Sequence, residues 1–215
     1  MMRLVREGGP RPLAAPGLLP WPGRPRRGRG FRVLVLGGAR SGKSLTAERM
    51  LGARARAENS VDYVACGLPA DDADPAWAER VRLHQERRPA RWMTLETLDL
   101  ESVLGGAGQA NRREAPVLVD CLSTWLAGVM DECGLWAGKA SADKELAARV
   151  DGLLRAWRST GRVVVAVSNE VGSGVVPATA AGGRFRDELG RLNASVAADC
   201  EQVWLCTAGI ARRLR

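Results

Sequence analysis

Five short runs along the chain are almost continuously apolar and rich in branched aliphatic residues: "FRVLVL" (31–36), "VDYVA" (61–65), "PVLVD" (116–120), "RVVVAVS" (162–168) and "EQVWLCTA" (201–208). A strand exposed on one face alternates apolar with polar residues; a near-continuous run is the mark of a strand covered on both faces. Between the runs lie stretches of helical character at 43–57, 75–88, 122–132, 141–158 and 184–198. Strand followed by helix followed by strand predicts an α/β fold in which a mostly parallel sheet is flanked by helices on both faces. A chain of 215 residues that is 46% hydrophobic has enough apolar surface for one substantial core, so residues 31–215 are read as a single domain.

Residues 1–30 break this pattern. They hold six of the eleven prolines, six glycines and seven arginines, with too little apolar periodicity to offset the entropy of ordering them, and a disordered extension is expected there. The most apolar part, "LAAPGLLPWP", is interrupted three times by proline and does not supply the unbroken core of a secretory signal. No stretch approaches the roughly 18 apolar residues of a membrane span. Of the formal charge of +8, +6 falls in the first 30 residues and only +2 in the rest. The folded part is nearly balanced and shows no basic stripe interleaved with aromatics, so nucleic acid is not an expected partner. Five cysteines (Cys66, Cys121, Cys133, Cys200, Cys206) form no Cys-x-x-Cys pair, and with a single histidine they cannot make a zinc set at the usual spacings. Reduced thiols and a cytoplasmic location are the expectation.

Directly after the first run stands "GGARSGKS" (Gly37, Gly38, Ala39, Arg40, Ser41, Gly42, Lys43, Ser44), which fits G-x-x-x-x-G-K-[ST] with a strand before it and a helix after it. Such a phosphate loop, or P-loop, turns successive backbone N–H groups into one concavity and adds the positive end of the following helix. Nucleotide phosphates fill it, with Lys43 reaching the outer phosphates and the Ser44 hydroxyl a ligand for Mg²⁺. The acid such a metal also requires is available as Asp120, at the end of "PVLVD". An acid in that position also serves as an ordinary helix cap, and it is the phosphate loop that favours the metal. The fold expected is P-loop NTPase-like.

The only histidine, His84, lies in "AERVRLHQERRPARW" among Arg80, Arg82, Arg87, Arg88 and Arg91. Asp74 as N-cap, Pro75 in the first turn and Pro89 past the end delimit a helix on which Trp77, Val81 and His84 share a face. His84 is then either a half-buried residue on an apolar stripe or a nucleophile. The arginines suit the second role, because fixed positive charge disfavours the imidazolium and also attracts a triphosphate.

Taken together, "GGARSGKS", "YVA", "RVRLHQERRPARWMTLE", "VLVDCLSTWL", "VSNEVGSGVVP", "RFRDELGRLN" and "EQVWLCTAGI", in this order from residue 31 to 215, resemble the bifunctional adenosylcobinamide kinase and adenosylcobinamide-phosphate guanylyltransferase family of cobalamin assembly. The resemblance implies phosphorylation of the aminopropanol hydroxyl of adenosylcobinamide by GTP or ATP, then transfer of GMP from GTP to the new phosphate with release of pyrophosphate. His84 matches the family's guanylylated histidine in H-x-x-x-R-P-x-x-W. Carried over in the same way, the loop 37–44 holds nucleotide phosphates, and Ala65, Cys66, Gly67, Gln85, Glu86, Arg87, Arg88, Glu96 and Asp120 line the nucleotide site, with Ser44 and Asp120 on Mg²⁺. Glu96 has the chemistry to accept hydrogen bonds from guanine N1 and N2. The family forms ring-like trimers, so a homo-oligomer is implied.

The chain departs from the family pattern in places. Cys66 and Gly67 stand where Thr and Ser are frequent, "GLPADDADPAW" is a longer connection, Leu83 replaces a second histidine, and residues 1–30 have no counterpart. A P-loop small-molecule kinase or NTPase without guanylyl transfer is the alternative function. Asn169 and Glu170 follow the fourth run, where ligands bind open α/β sheets; a Gly-rich loop capped by its Asn reads equally well, and no step is assigned to them. Seven tryptophans, Trp92, Trp125 and Trp136 among them, exceed what one small core needs, and some tryptophans are expected to face a corrinoid or a subunit interface.

Overall fold

The structure, a computed structural model, describes residues 30–54, 60–67, 75–86, 88–105 and 115–215. The extension expected over residues 1–30 lies outside them except for Gly30, as do Asp74 and Arg87. The elements run β1 (Phe31–Gly37), α1 (Lys43–Arg54), β2 (Asp62–Ala65), α2 (Pro75–Glu86), β3 (Met93–Glu96), α3 (Leu100–Gly105), β4 (Val117–Asp120), α4 (Leu122–Glu132), α5 (Ala142–Ser159), β5 (Val163–Asn169), α6 (Ala180–Ala198), β6 (Gln202–Thr207) and β7 (Ile210–Arg213). The seven strands form one sheet in the order β3-β2-β4-β5-β1-β6-β7. All neighbours pair parallel except β6 and β7, which close an antiparallel hairpin. The expected mostly parallel α/β architecture is therefore present.

Because side chains alternate across a strand, each apolar run feeds two cores. Leu34, Val64, Val117, Val119 and Ala166 face α3, α4, α5 and α6 through Leu104, Leu126, Leu153 and Leu192. Val33, Val35, Leu118, Val165 and Val167 point the other way, onto Ala47, Met50 and Leu51 of α1. Four tryptophans among the described residues serve these cores. Trp125 and Trp157 are fully buried and Trp92 and Trp204 nearly so, while Trp136 is 44% exposed. Among the described residues no helix is long and apolar enough to cross a membrane.

Three elements were not expected. β3 alternates half-buried Met93 and Leu95 with exposed Thr94 and Glu96, so its apolar content is too low to register as a buried strand. α3 is a six-residue helix capped by Asp99, which accepts the Ser102 N–H at 3.0 Å. β7 is arginine-rich, a common way to protect a sheet edge from further pairing. α6 also begins four residues earlier than expected, since Thr179 caps it by accepting the Gly182 N–H at 3.1 Å.

At the end of the sheet away from the phosphate loop, Asp62 and Arg162 form a buried ion pair, their side chains 4% and 7% exposed. Arg162 also donates to the carbonyls of Ala115 (2.8 Å) and Val103 (3.0 Å), tying the starts of β4 and β5 to the end of α3. Removing one partner of a buried pair leaves an uncompensated charge. Asp62→Ala is expected to lower unfolding stability by about 3–5 kcal/mol, read as a shift of the urea midpoint; Arg158→Ala, whose partner Asp199 is part-exposed, should cost no more than about 1 kcal/mol.

Candidate nucleotide site

The phosphate loop is shaped by three close approaches. Gly42 has φ +91° and Arg40 φ +55°, the left-handed turns that bring the backbone back on itself before α1 starts at Lys43. A Cβ on Gly37 would run into Ser41 Oγ and lie 2.7 Å from the Cys206 carbonyl, so only glycine fits there. From the other side the turn of the β6–β7 hairpin presses on the loop. The Gly209 N–H donates to the Ser41 carbonyl at 3.0 Å, and the Gly209 Cα lies 3.2 Å from where a Gly42 Cβ would be.

Lys43, 4% exposed, folds its ammonium back to the Gly38 carbonyl at 3.0 Å, which keeps the charge within the turn of the loop. The Ser44 hydroxyl donates to Asp120 Oδ1 at 3.3 Å. The two residues expected to share a metal are thus brought together from the head of α1 and the end of β4. A hydroxyl and a carboxylate at the mouth of an anion-binding loop are hard oxygen donors of the kind Mg²⁺ takes, so the set fits that ion.

The other oxygen of Asp120 is held by a residue that sequence reasoning did not assign. Tyr63, 1% exposed on β2, donates its hydroxyl to Asp120 Oδ2 at 2.6 Å. Burial, reinforced by the Asp120 carboxylate, pushes its phenol far above the ordinary value against the opposing pull of Arg88, and it remains a donor. The Arg88 guanidinium lies over the Tyr63 ring, 3.5 Å from its centroid, and donates to Thr94 Oγ1 at 3.0 Å. Its Nε is buried with no hydrogen-bond partner among the described residues. The available signal was a lone hydroxyl in a buried strand, since buried tyrosine hydroxyls need a partner.

Ala65, Glu96 and Asp120 stand in register where β2, β3 and β4 end, Ala65 pairing with both others. Glu96 is exposed at that edge. Cys66, by contrast, turns into the core with Val64 and Leu122, and burial pushes its thiol well up. Gly67 is half-buried, and Gln85 and Glu86 are exposed on the last turn of α2. His84 lies on that helix, two residues before its end, with its side chain outside those described. The arginine cluster is less bare than its sequence suggests: Arg82 is bound by Glu79 at 2.7 Å and by Glu86. Glu170 closes onto its own loop, accepting the Gly172 N–H at 2.8 Å, while its N–H donates to the Gly37 carbonyl at 3.2 Å. All five cysteines are free and buried.

A phosphate loop between an interior strand and its helix, faced by a strand-end carboxylate, defines a P-loop nucleotide-binding protein of the parallel α/β kind. Within that class the chain belongs to the cobinamide kinase / cobinamide phosphate guanyltransferase family (CobU), whose profile matches residues 33–214. It is 38% identical over 186 residues to the bifunctional adenosylcobalamin biosynthesis protein CobP of Pseudomonas aeruginosa, covering 86% of this chain and 98% of that protein. To the bifunctional adenosylcobalamin biosynthesis protein CobU of Escherichia coli K12 it is 33% identical over 189 residues, covering 85% of this chain and 99% of that one. Among solved structures, the flagellar accessory protein FlaH of Methanocaldococcus jannaschii aligns with TM-score 0.40 and 12% identity, over 86% of this chain and 78% of that one, a likeness too distant to add to the argument.

Proposed function

We propose that this chain phosphorylates adenosylcobinamide with a nucleoside triphosphate and then transfers GMP from GTP to the new phosphate, with His84 as the covalent carrier. One observation carries the reading. Residues expected for the two chemistries, Arg88 on one side and Asp120 with Ser44 beside Lys43 on the other, are joined through Tyr63 at the carboxyl ends of the strands.

In the first reaction the acceptor hydroxyl attacks the γ-phosphorus and the nucleoside diphosphate leaves. The loop 37–44 binds the phosphate oxygens through its N–H groups, and Lys43 turns from the Gly38 carbonyl to them. Ser44 and Asp120 would hold Mg²⁺, which supplies neutralisation of phosphate charge. In the second reaction a ring nitrogen of His84 attacks the α-phosphorus of GTP and pyrophosphate departs. The cobinamide phosphate then attacks that phosphorus and the P–N bond breaks, so one difficult displacement becomes two easier ones. Arg87 and Arg88, with Gln85 and Glu86, contact the nucleotide, and Ala65, Cys66 and Gly67 line it through the backbone. The same proposal includes a cytoplasmic location, in keeping with five unpaired cysteines, and a homo-oligomer, the trimer of the resemblance.

Incubation with Mg²⁺ and GTP labelled at the α- or the γ-phosphate tests the carrier. Acid-labile label retained on denatured protein from α-labelled GTP and none from γ-labelled GTP is the expected result. No retained label from either would leave a P-loop kinase without guanylyl transfer. For Glu96, replacement by alanine is expected to erode the preference for GTP over ATP in covalent labelling by about tenfold, the value of one or two lost hydrogen bonds to a charged acceptor. Unchanged selectivity in competition would take guanine recognition away from it.

A further inference from the structure

To hold a metal, the Asp120 carboxylate has to be aimed. A carboxylate at a strand end has a free torsion, and Ser44 and Tyr63 both help to hold this one. Ser44 takes Oδ1 at 3.3 Å, and Tyr63 takes Oδ2 at 2.6 Å, the shorter and stronger contact. Tyr63 is itself fixed. Its ring is fully buried with Trp92 tilted against it at a centroid distance of 6.4 Å, and Arg88 covers its face. Arg88 follows α2 directly, its N–H bonded to the Gln85 carbonyl at 3.1 Å, four residues after His84.

From this we infer that Tyr63 is a positioning residue: its hydroxyl sets the orientation of the Asp120 carboxylate towards the metal, and its ring, clamped by Arg88, links the end of the His84 helix to that carboxylate. Tyr63 touches neither substrate nor metal in this role. It acts through Asp120, as hydrogen-bonded partners of metal-binding carboxylates do. The inference rests on Asp120 as the metal-bearing carboxylate, and the test separates the two ideas.

Tyr63 is the only tyrosine in the chain. Growth on 3-fluorotyrosine therefore places fluorine at this position alone, without mutation. In the intact protein with a non-hydrolysable GTP analogue, Mn²⁺ should broaden the single ¹⁹F resonance severely, and Mg²⁺ should shift it. In parallel, the affinity for Mn²⁺ is read by electron paramagnetic resonance of the free ion. Tyr63→Phe, which keeps the ring for Arg88 and removes the hydroxyl, is expected to weaken Mn²⁺ binding about tenfold. Asp120→Asn should weaken it further, and in that background Tyr63→Phe should add nothing.

A merely structural tyrosine would give a lower melting temperature with Mn²⁺ affinity unchanged. If Asp120→Asn weakens Mn²⁺ binding and Tyr63→Phe does not, the positioning role is overturned and the metal reading stands. If Asp120→Asn has no effect either, the metal reading fails and the positioning role with it. A fluorine signal indifferent to both ions likewise overturns the inference, whether or not the phenylalanine variant folds.

Discussion

Replacing His84 by alanine is expected to abolish covalent labelling from α-labelled GTP, to undetectable levels, and to stop guanylyl transfer while phosphorylated cobinamide accumulates. A histidine nitrogen is the one side-chain group of this segment that is both nucleophilic near neutral pH and able to leave again from phosphorus, and the chain has no second imidazole to substitute for it. The phosphate loop does not depend on it, because Gly37, Gly42 and Lys43 are held by β1, α1 and the Gly209 turn. Electrophoresis of the labelled protein, with chromatography of the corrinoid products, reads both halves of the result. Labelling that survives in His84→Ala would move the carrier to another residue, and loss of both reactions with the fold intact would mean that His84 also helps to bind the nucleotide.

Lys43→Ala has the second large effect. Its ammonium sits at the head of α1 inside the loop, bonded to the Gly38 carbonyl at 3.0 Å and withdrawn from solvent. There a positive charge acts on developing phosphate charge in a site of low dielectric constant, and loss of one such group typically costs about 10²–10³-fold in rate. The phosphorylation rate is expected to fall by about that factor, with a smaller change in the KM for the corrinoid. Arginine should not restore it, since its planar fork cannot follow the path of a lysine through so close a turn. A steady-state comparison of the two variants decides this, and a loss below about fivefold in Lys43→Ala would show that the backbone N–H groups hold the phosphates without it.

The sheet was legible because its central strands are written twice over, once for each core. Val33-Leu34-Val35 sends alternate residues to opposite faces and has to be apolar at each position. The same logic hid β3 and β7, which lie at the two edges and carry Thr94, Glu96, Arg212 and Arg213 as an edge allows. The hairpin had a readable sign in Ala208-Gly209, a two-residue turn with φ +49° and +80°, of the kind that joins antiparallel strands. In the site, Gly37 to Ser44 and Asp120 could be found because their chemistry is local to a motif and to a strand end. The contact of Tyr63 with Asp120 could not, since it is created by the pairing of β2 with β4, which only the fold specifies. Cys66 shows the converse: a position suggested by resemblance lines the core with its side chain.

The hairpin turn that presses on the phosphate loop also fixes when that loop can work. β1 and the glycines after it are made early in synthesis, yet both strands that flank β1, Val163–Asn169 and Gln202–Thr207, come from the last quarter of the sequence, and the turn at Gly209 follows them. The loop has its residues long before it has its walls. The surroundings of the loop are therefore completed late in biosynthesis, by the longest-range strand pairings of the fold.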